Sequence, residues 1–261
     1  MLWRIDSRTR RITVRNLQIC FPDMPAAERD QMASASLHAL AVNILDLGRS
    51  WLWKPERLLR LVNRVTGEEY LQAAAAAGKG TLILAPHLGN WELLNLHICK
   101  RYSVTTMYQE HKRVSVNSMV RRARQRGGAK LVPAGAGGVR SVLLALGAGE
   151  VVSMLPDQVP PDSCGEFAPL FVEPAYTMTL ATNLIQRTGA TAIFAVCKRV
   201  GGGRYEIGYQ PADEDIYSSD SATALAGLNK SIERCVLDCP EQYQWAYKRY
   251  KKMPNQDNRK Y

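Results

Sequence analysis

From Thr81 to Cys239 the chain alternates short apolar runs with amphipathic stretches, and this alternation limits the fold more than any other feature. Thr81–Ala85, Val104–Tyr108, Lys130–Pro133, Val151–Leu155, Thr191–Arg199 and Arg204–Gln210 have the length and content of strands. Between them lie helical patterns: one capped by Asn90, then Asn117–Arg126, Val139–Leu146, Thr177–Thr188 and Ser221–Cys239, with a long loop expected over Pro156–Pro169. Strands alternating with helices predict an α/β domain with a mixed central sheet flanked by helices. Residues 1–77 read as a helical N-terminal region. It includes a helix over Ala26–Leu47 that ends before Gly48 and another over Glu68–Ala77. The remaining 78–261 form the α/β core of one domain.

In such a sheet, reactive groups are expected beyond the carboxyl ends of the strands. Two sites qualify. The first strand stops at Pro86 and is followed by His87-Leu-Gly-Asn-Trp-Glu92; the strand over Val151–Leu155 is followed by Asp157. On one continuous helix, residues five apart point about 140° away from each other. His87 must therefore lie in the strand-to-helix loop, with Glu92 in the helix's first turn, if the two are to share a site. A base with an orienting carboxylate is one reading of the pair. A loop histidine beside an acidic helix start is the other, and spacing leaves both open.

Composition narrows the partners. With 46% hydrophobic and 22% charged residues the chain has an ordinary globular make-up. Its formal charge of +10 favours an anionic partner: nucleic acid, a phosphorylated ligand, an acidic carrier protein or an anionic membrane surface. The six cysteines, Cys20, Cys99, Cys164, Cys197, Cys235 and Cys239, contain no CxxC pair and have no zinc-type spacing to the four histidines, which suggests reduced thiols in a cytosolic setting and no metal. Cys164 has no neighbour that would activate it as a nucleophile. No charge-free run of 18 apolar residues and no signal peptide occur. Gly135-Ala-Gly137-Gly-Val-Arg140 has arginine where a dinucleotide loop needs its third glycine, and P-loop, HExxH and GxSxG patterns are lacking. Trp51 and Trp53 beside Lys54 fit either core packing or an interfacial anchor. The basic run Lys112-Arg113 with Arg121, Arg122, Arg124 and Arg126 cannot occupy one helix face, yet two of these guanidinium groups at a cleft edge suit phosphate.

A resemblance ties these pieces together. His87-Leu-Gly-Asn-Trp-Glu92, Leu155-Pro-Asp157-Gln158-Val-Pro160, Pro169-Leu-Phe171 with Pro174-Ala-Tyr-Thr177, and Pro240-Glu-Gln-Tyr-Gln-Trp245 with Lys248-Arg249 resemble, in order, the bacterial lipid A biosynthesis acyltransferases, the late lauroyl and myristoyl transferases. The resemblance implies the glycerolipid-acyltransferase fold. It implies transfer of a fatty acyl chain from acyl carrier protein to a hydroxyl of a lipid A precursor, at the cytoplasmic face of the bacterial inner membrane, with no cofactor beyond the acyl donor. Carried over, the family's His-x4-Asp/Glu motif makes His87 and Glu92 the catalytic pair, and places Asn90, Arg121, Arg124, Asp157 and Gln158 at the substrate. Family members usually begin with a hydrophobic anchoring helix, and this chain starts at Leu2-Trp3-Arg4, where that helix would end. The expectation is an absent or truncated anchor and peripheral attachment.

Chemistry agrees with that assignment. An alcohol attacking a thioester must lose its proton as the C–O bond forms, which suits an imidazole with a pKa near 6.5. His87 is then the general base, Glu92 its orienting carboxylate, and the oxyanion donors are backbone N–H groups near Gly89 and Asn90 or an arginine. A related acyltransferase acting on a lysophospholipid, glycolipid or aminolipid is the alternative. Glu92 and Leu155-Pro-Asp157-Gln158, in place of the His-x4-Asp and Phe-Pro-Glu-Gly-Thr of glycerolipid enzymes, favour the lipid A branch. A noncatalytic basic membrane-binding protein is a further class, and no motif supports a nucleic-acid partner.

Overall fold

Leu82 and Leu84 point to one side of a central sheet while Ile83 and Ala85 point to the other, and each side has its own apolar cluster. A strand apolar at every position is what a sheet buried on both faces requires. The computed structural model describes residues 7–110, 113–254 and 261. Its first two helices are α1 (Arg8–Cys20) and α2 (Ala26–Leu52), followed by α3 (Pro55–Leu59), strand β1 (Val62–Thr66) and α4 (Glu68–Ala76). Next come β2 (Thr81–Leu84), α5 (Trp91–Cys99), β3 (Val104–Tyr108), α6 (Val114–Gly127), β4 (Lys130–Pro133), α7 (Ala136–Gly147) and β5 (Val151–Met154). A hairpin of β6 (Gly165–Leu170) and β7 (Glu173–Met178) leads to α8 (Leu180–Thr188), β8 (Thr191–Val200), β9 (Arg204–Pro211) and α9 (Ser221–Asp238).

The seven-stranded sheet has the order β1-β9-β8-β2-β5-β3-β4. All neighbours are parallel except β8 and β9, which pair antiparallel through the Gly201–Gly203 turn, so the sheet is mixed as expected. Helices cover both faces. The inner strands β2, β5 and β3 are buried at every position.

Several elements depart from the expectation. Helix α2 continues to Leu52, through Gly48. A mid-helix glycine costs only about 1 kcal/mol relative to alanine. Here the buried Asp46 holds that turn to Arg49 and to Arg199 at the end of β8. Within the expected helical region, Val62–Thr66 instead forms an edge strand beside β9. Its sequence, VNRVT, has no clean alternation, and its partner lies far away in the chain. The expected loop over Pro156–Pro169 contains most of β6, and the following helix starts at Leu180 rather than Thr177. Prolines in a run usually argue against a strand. This two-stranded ribbon instead pairs Pro169 with Pro174 next to its turn, where Phe171 takes φ 56°. Among the described residues no helix is long and apolar enough to cross a membrane.

Beyond β2 the chain makes a tight turn that depends on one glycine. Gly89 has φ 58°, and a Cβ there would lie 2.1 Å from the carbonyl oxygen of Cys197. Replacing Gly89 by Ala adds the left-handed penalty of about 1–2 kcal/mol to a backbone clash. The expected outcome is a lower melting temperature with loss of whatever the adjacent loop does, measured by thermal unfolding and by activity.

Candidate active site

Strands β2 and β5 are neighbours in register, with Leu84 opposite Met154 and the N–H of Ala85 donating to the carbonyl of Met154 at 3.1 Å. The chain leaves both strands at the same level. Three residues beyond Leu84 stands His87, and three beyond Met154 stands Asp157. The two side chains meet. His87 Nδ1 lies 2.7 Å from Asp157 Oδ1, and the His87 backbone N–H donates to Asp157 Oδ2 at 2.8 Å.

On the other ring nitrogen, the Gln158 amide donates to His87 Nε2 at 3.2 Å and to Gln244 Oε1, also at 3.2 Å. An amide N–H can approach Nε2 only if that nitrogen is unprotonated, so the proton sits on Nδ1 and faces Asp157. Trp91 packs edge-on against the imidazole at 5.1 Å. Asp157 is buried, and burial alone would raise its pKa. Electrostatic attraction to the His87 ring and hydrogen bonds from that ring, the His87 backbone and its own backbone outweigh that and lower it. Tyr243 is buried behind the pair and hydrogen-bonded to Asp157; burial first, then the Asp157 charge, push its hydroxyl well above the usual range.

Glu92 occupies the first turn of α5 and His87 the preceding loop, as the spacing requires. The two do not meet, however: Nδ1 of His87 is engaged by Asp157 and Nε2 by Gln158. Glu92 instead receives two hydrogen bonds from Arg124 on α6, Nε to Oε2 at 3.0 Å and Nη2 to Oε1 at 2.7 Å. Both side chains are largely buried. Burial would lower the Arg124 pKa, and the Glu92 carboxylate raises it by more. Arg124 thus turns two of its donors, Nε and Nη2, inward to a carboxylate.

The other expected site residues separate. Asn90 caps α5 through the Leu93 N–H at 3.0 Å and bonds Ser50 of α2. Arg121 is exposed, near enough to Tyr108 to oppose the burial that raises that hydroxyl. Lys112, at the start of the basic run, and Leu2-Trp3-Arg4 lie outside the described residues. The backbone donors expected near the oxyanion are engaged as well. The Gly89 N–H donates to the Gln242 carbonyl and the Asn90 N–H to that of Cys197.

Residues around Tyr243 complete the loop's support. The Gln244 N–H donates to the His87 carbonyl at 3.0 Å, Leu88 bridges to Tyr243, and the Tyr247 hydroxyl accepts from the Val159 N–H at 3.0 Å. Arg249 is buried and donates to the Tyr176 carbonyl at 2.7 Å and to Thr177 Oγ1 at 3.0 Å. The four separated motifs of the sequence are thus parts of one assembly. Gln244 and the link from Asp157 to His87 were not assigned from sequence. The signal for the latter was present, since both residues follow central strands at equal distance. All six cysteines are free, and among the described residues no cluster of His, Cys, Asp or Glu suits a metal ion.

The family model described as bacterial lipid A biosynthesis acyltransferase matches residues 1–252. The chain belongs to that family. It is 28% identical over 253 residues to a lipid A biosynthesis lauroyltransferase of Escherichia coli, covering 96% of this chain and 82% of the relative. Over 251 residues it is 28% identical to a lipid A biosynthesis palmitoleoyltransferase of the same organism, covering 95% and 80%. A shorter stretch of 87 residues, 33% of this chain and 28% of the relative, is 32% identical to a phosphatidylinositol mannoside acyltransferase of Mycobacterium tuberculosis.

Two measurements test this geometry. Removing one partner of a buried ion pair strands the other charge at about 3–5 kcal/mol. Arg124→Ala and Glu92→Ala should therefore each lower stability strongly, and the double variant should cost less than their sum, as read from denaturant midpoints. A Glu92→Ala protein that melts like the parent would show that the pair contributes nothing to the fold. The depressed Asp157 carboxyl contributes stability that is full above the ordinary carboxyl pKa of about 4 and is lost as pH falls through its lower folded value. Asp157→Asn should flatten that acid-side decline in unfolding free energy.

Proposed function

We propose that this chain transfers a fatty acyl group from the thioester of an acyl carrier protein to a hydroxyl of a lipid A precursor, with His87 as general base and Asp157 as the carboxylate that orients it. The observation that carries this reading is the His87–Asp157 pair, with Nδ1–H donating to the carboxylate and the Nε2 lone pair facing away from it. Family membership supports acyl transfer and the lipid A acceptor. The formal charge of +10 suits a phosphorylated acceptor and an acidic carrier.

In the resting site Nε2 is occupied by the Gln158 amide. The acceptor hydroxyl takes that place and gives its proton to Nε2 as its oxygen attacks the thioester carbonyl. Asp157 stabilises the imidazolium that forms. The tetrahedral intermediate then collapses, the C–S bond breaks, and the departing thiolate takes the proton from the imidazolium. Carbonyl oxygen charge needs a donor during this passage. With the N–H groups of Gly89 and Asn90 and two arms of Arg124 already engaged, the displaced Gln158 amide is the donor beside the reacting atoms. Glu92 acts indirectly here, through Arg124, by fixing α5 and α6 around the loop.

A glycolipid acceptor is the second reading, favoured by the stretch shared with the phosphatidylinositol mannoside acyltransferase. Mass spectrometry of lipid A from cells with and without this protein separates the two: an unchanged lipid A profile in an expressing cell would reject the lipid A acceptor.

Variants test the roles. His87→Ala should remove nearly all transfer from acyl carrier protein in a folded protein. Asp157→Asn should lower kcat by about 10³–10⁴-fold, as loss of an orienting carboxylate does. Gln158→Ala should lower kcat by about 10²–10³-fold with little change in KM, the signature of an oxyanion donor. Activity surviving in His87→Ala would reject the base; a Gln158→Ala effect confined to KM would reject the donor.

A further inference from the structure

The stretch from Tyr243 to Tyr250 is largely buried yet, apart from the bridge between Leu88 and Tyr243, belongs to no helix or strand. Its main-chain carbonyls therefore need partners from elsewhere. Helix α1 supplies two of them. Asn16, 1% exposed, donates through Nδ2 to the Trp245 carbonyl at 2.6 Å and to the Tyr247 carbonyl at 2.7 Å. Its Oδ1 accepts from the Tyr261 hydroxyl, so both polar atoms of the side chain are engaged. One turn further along α1, Cys20 lies 3.3 Å from the Tyr250 hydroxyl, which donates to the Leu170 carbonyl at 2.8 Å. Among the described residues no other donor reaches the Trp245 carbonyl. On its other side the same stretch grips both loops that carry reactive side chains. The Gln244 N–H donates to the His87 carbonyl, Gln244 Oε1 accepts from the Gln158 amide, and the Tyr247 hydroxyl accepts from the N–H of Val159, the residue after Gln158.

We infer that Asn16 is a positioning residue: by fixing the Trp245 and Tyr247 carbonyls it sets where the Gln158 amide stands against His87. Its importance for turnover rests on the roles proposed above for His87 and Gln158. An irregular segment has no ladder of its own to hold it, so each bond from outside decides its place. The two Asn16 bonds flank Ala246 and fix the direction of the chain there as well as its position. From Tyr247 the ring then carries that placement to the backbone beside Gln158. Little slack exists downstream. The Gln158 bonds to His87 Nε2 and to Gln244 are both 3.2 Å long, at the upper end of the usual range, and a shift of about 1 Å breaks them. A misplacement of about that size costs about 10²-fold in rate. Asn16 bonds Trp245, Tyr247 and Tyr261, so its effect on the reacting atoms is indirect. Helix α1 is thereby part of the catalytic apparatus, although it lies far from His87 and Gln158 in sequence.

Two readouts separate positioning from mere support of the fold. Asn16→Ala removes both donors, and Tyr247→Phe, the milder change, removes only the hydroxyl over Val159. At a temperature where thermal melts show each full-length protein folded, transfer assays should give kcat lowered about 10- to 100-fold with little change in KM. In a Gln158→Ala background either change should cost far less than in the parent, because the amide that it places is gone. Independently of turnover, the nitrogen NMR resonance of His87 Nε2 in the resting protein should move in Gln158→Ala, and both positioning variants should move it in the same direction. Should Asn16→Ala fail to fold, Tyr247→Phe carries both readouts. Activity surviving in His87→Ala would reject the catalytic reading and leave the resonance to decide the placement of Gln158. Parental kcat in the folded variants would overturn the inference. So would full additivity with Gln158→Ala, or a His87 resonance that moves in Gln158→Ala and stays parental in both positioning variants.

Discussion

The hydrogen bond between His87 and Asp157 depends on two neighbouring strands ending at one level. Parallel pairing of β2 with β5 aligns Leu84 with Met154, and equal turn lengths then carry an imidazole and a carboxylate to the same point above the sheet. No helix packing could substitute for this register. A slip of one residue would exchange the sides of the sheet for Leu82 and Ile83, and the apolar clusters on the two faces forbid it. The same hydrophobic alternation that fixes the core therefore fixes the distance within the pair.

A second layer of support comes from the end of the chain. Main-chain bonds from Gln242 and Gln244 clasp Gly89 and His87, while Cys197 at the far side takes the Asn90 N–H. The loop is thereby held between segments more than a hundred residues away in sequence, and Arg249 ties the same segment to the β6–β7 hairpin. Polar main-chain groups that would otherwise be stranded in a buried loop become its fastening.

Much of this was legible in the sequence, for identifiable reasons. Short apolar runs broken by Gly and Pro gave the five parallel strands of the core, and Asn90 announced the start of α5, because these signals are local. The edge strand Val62–Thr66 and the proline-bearing hairpin were missed because their stability comes from partners that no local window contains. The site divides in the same way. His87 in the loop and Glu92 in the first helical turn follow from spacing, whereas the choice between Glu92 and Asp157 as partner of the imidazole depends on strand order. Arg124 illustrates the limit: its position on a basic helix suggested phosphate, but a buried carboxylate across the helix interface takes its fork.

The Gln158 contact has a consequence for fidelity. A thioester held beside a free imidazole is open to hydrolysis, since water needs the same base that an alcohol does. Here Nε2, the base of the proposed mechanism, is covered by an amide that cannot itself attack, and Gln244 holds that amide from behind. On the proposed mechanism, an acceptor hydroxyl presented by a bound lipid has many contacts with which to displace this cover, whereas a single water has few. The resting state of the site would thus discriminate against wasteful loss of the acyl chain before any chemistry begins.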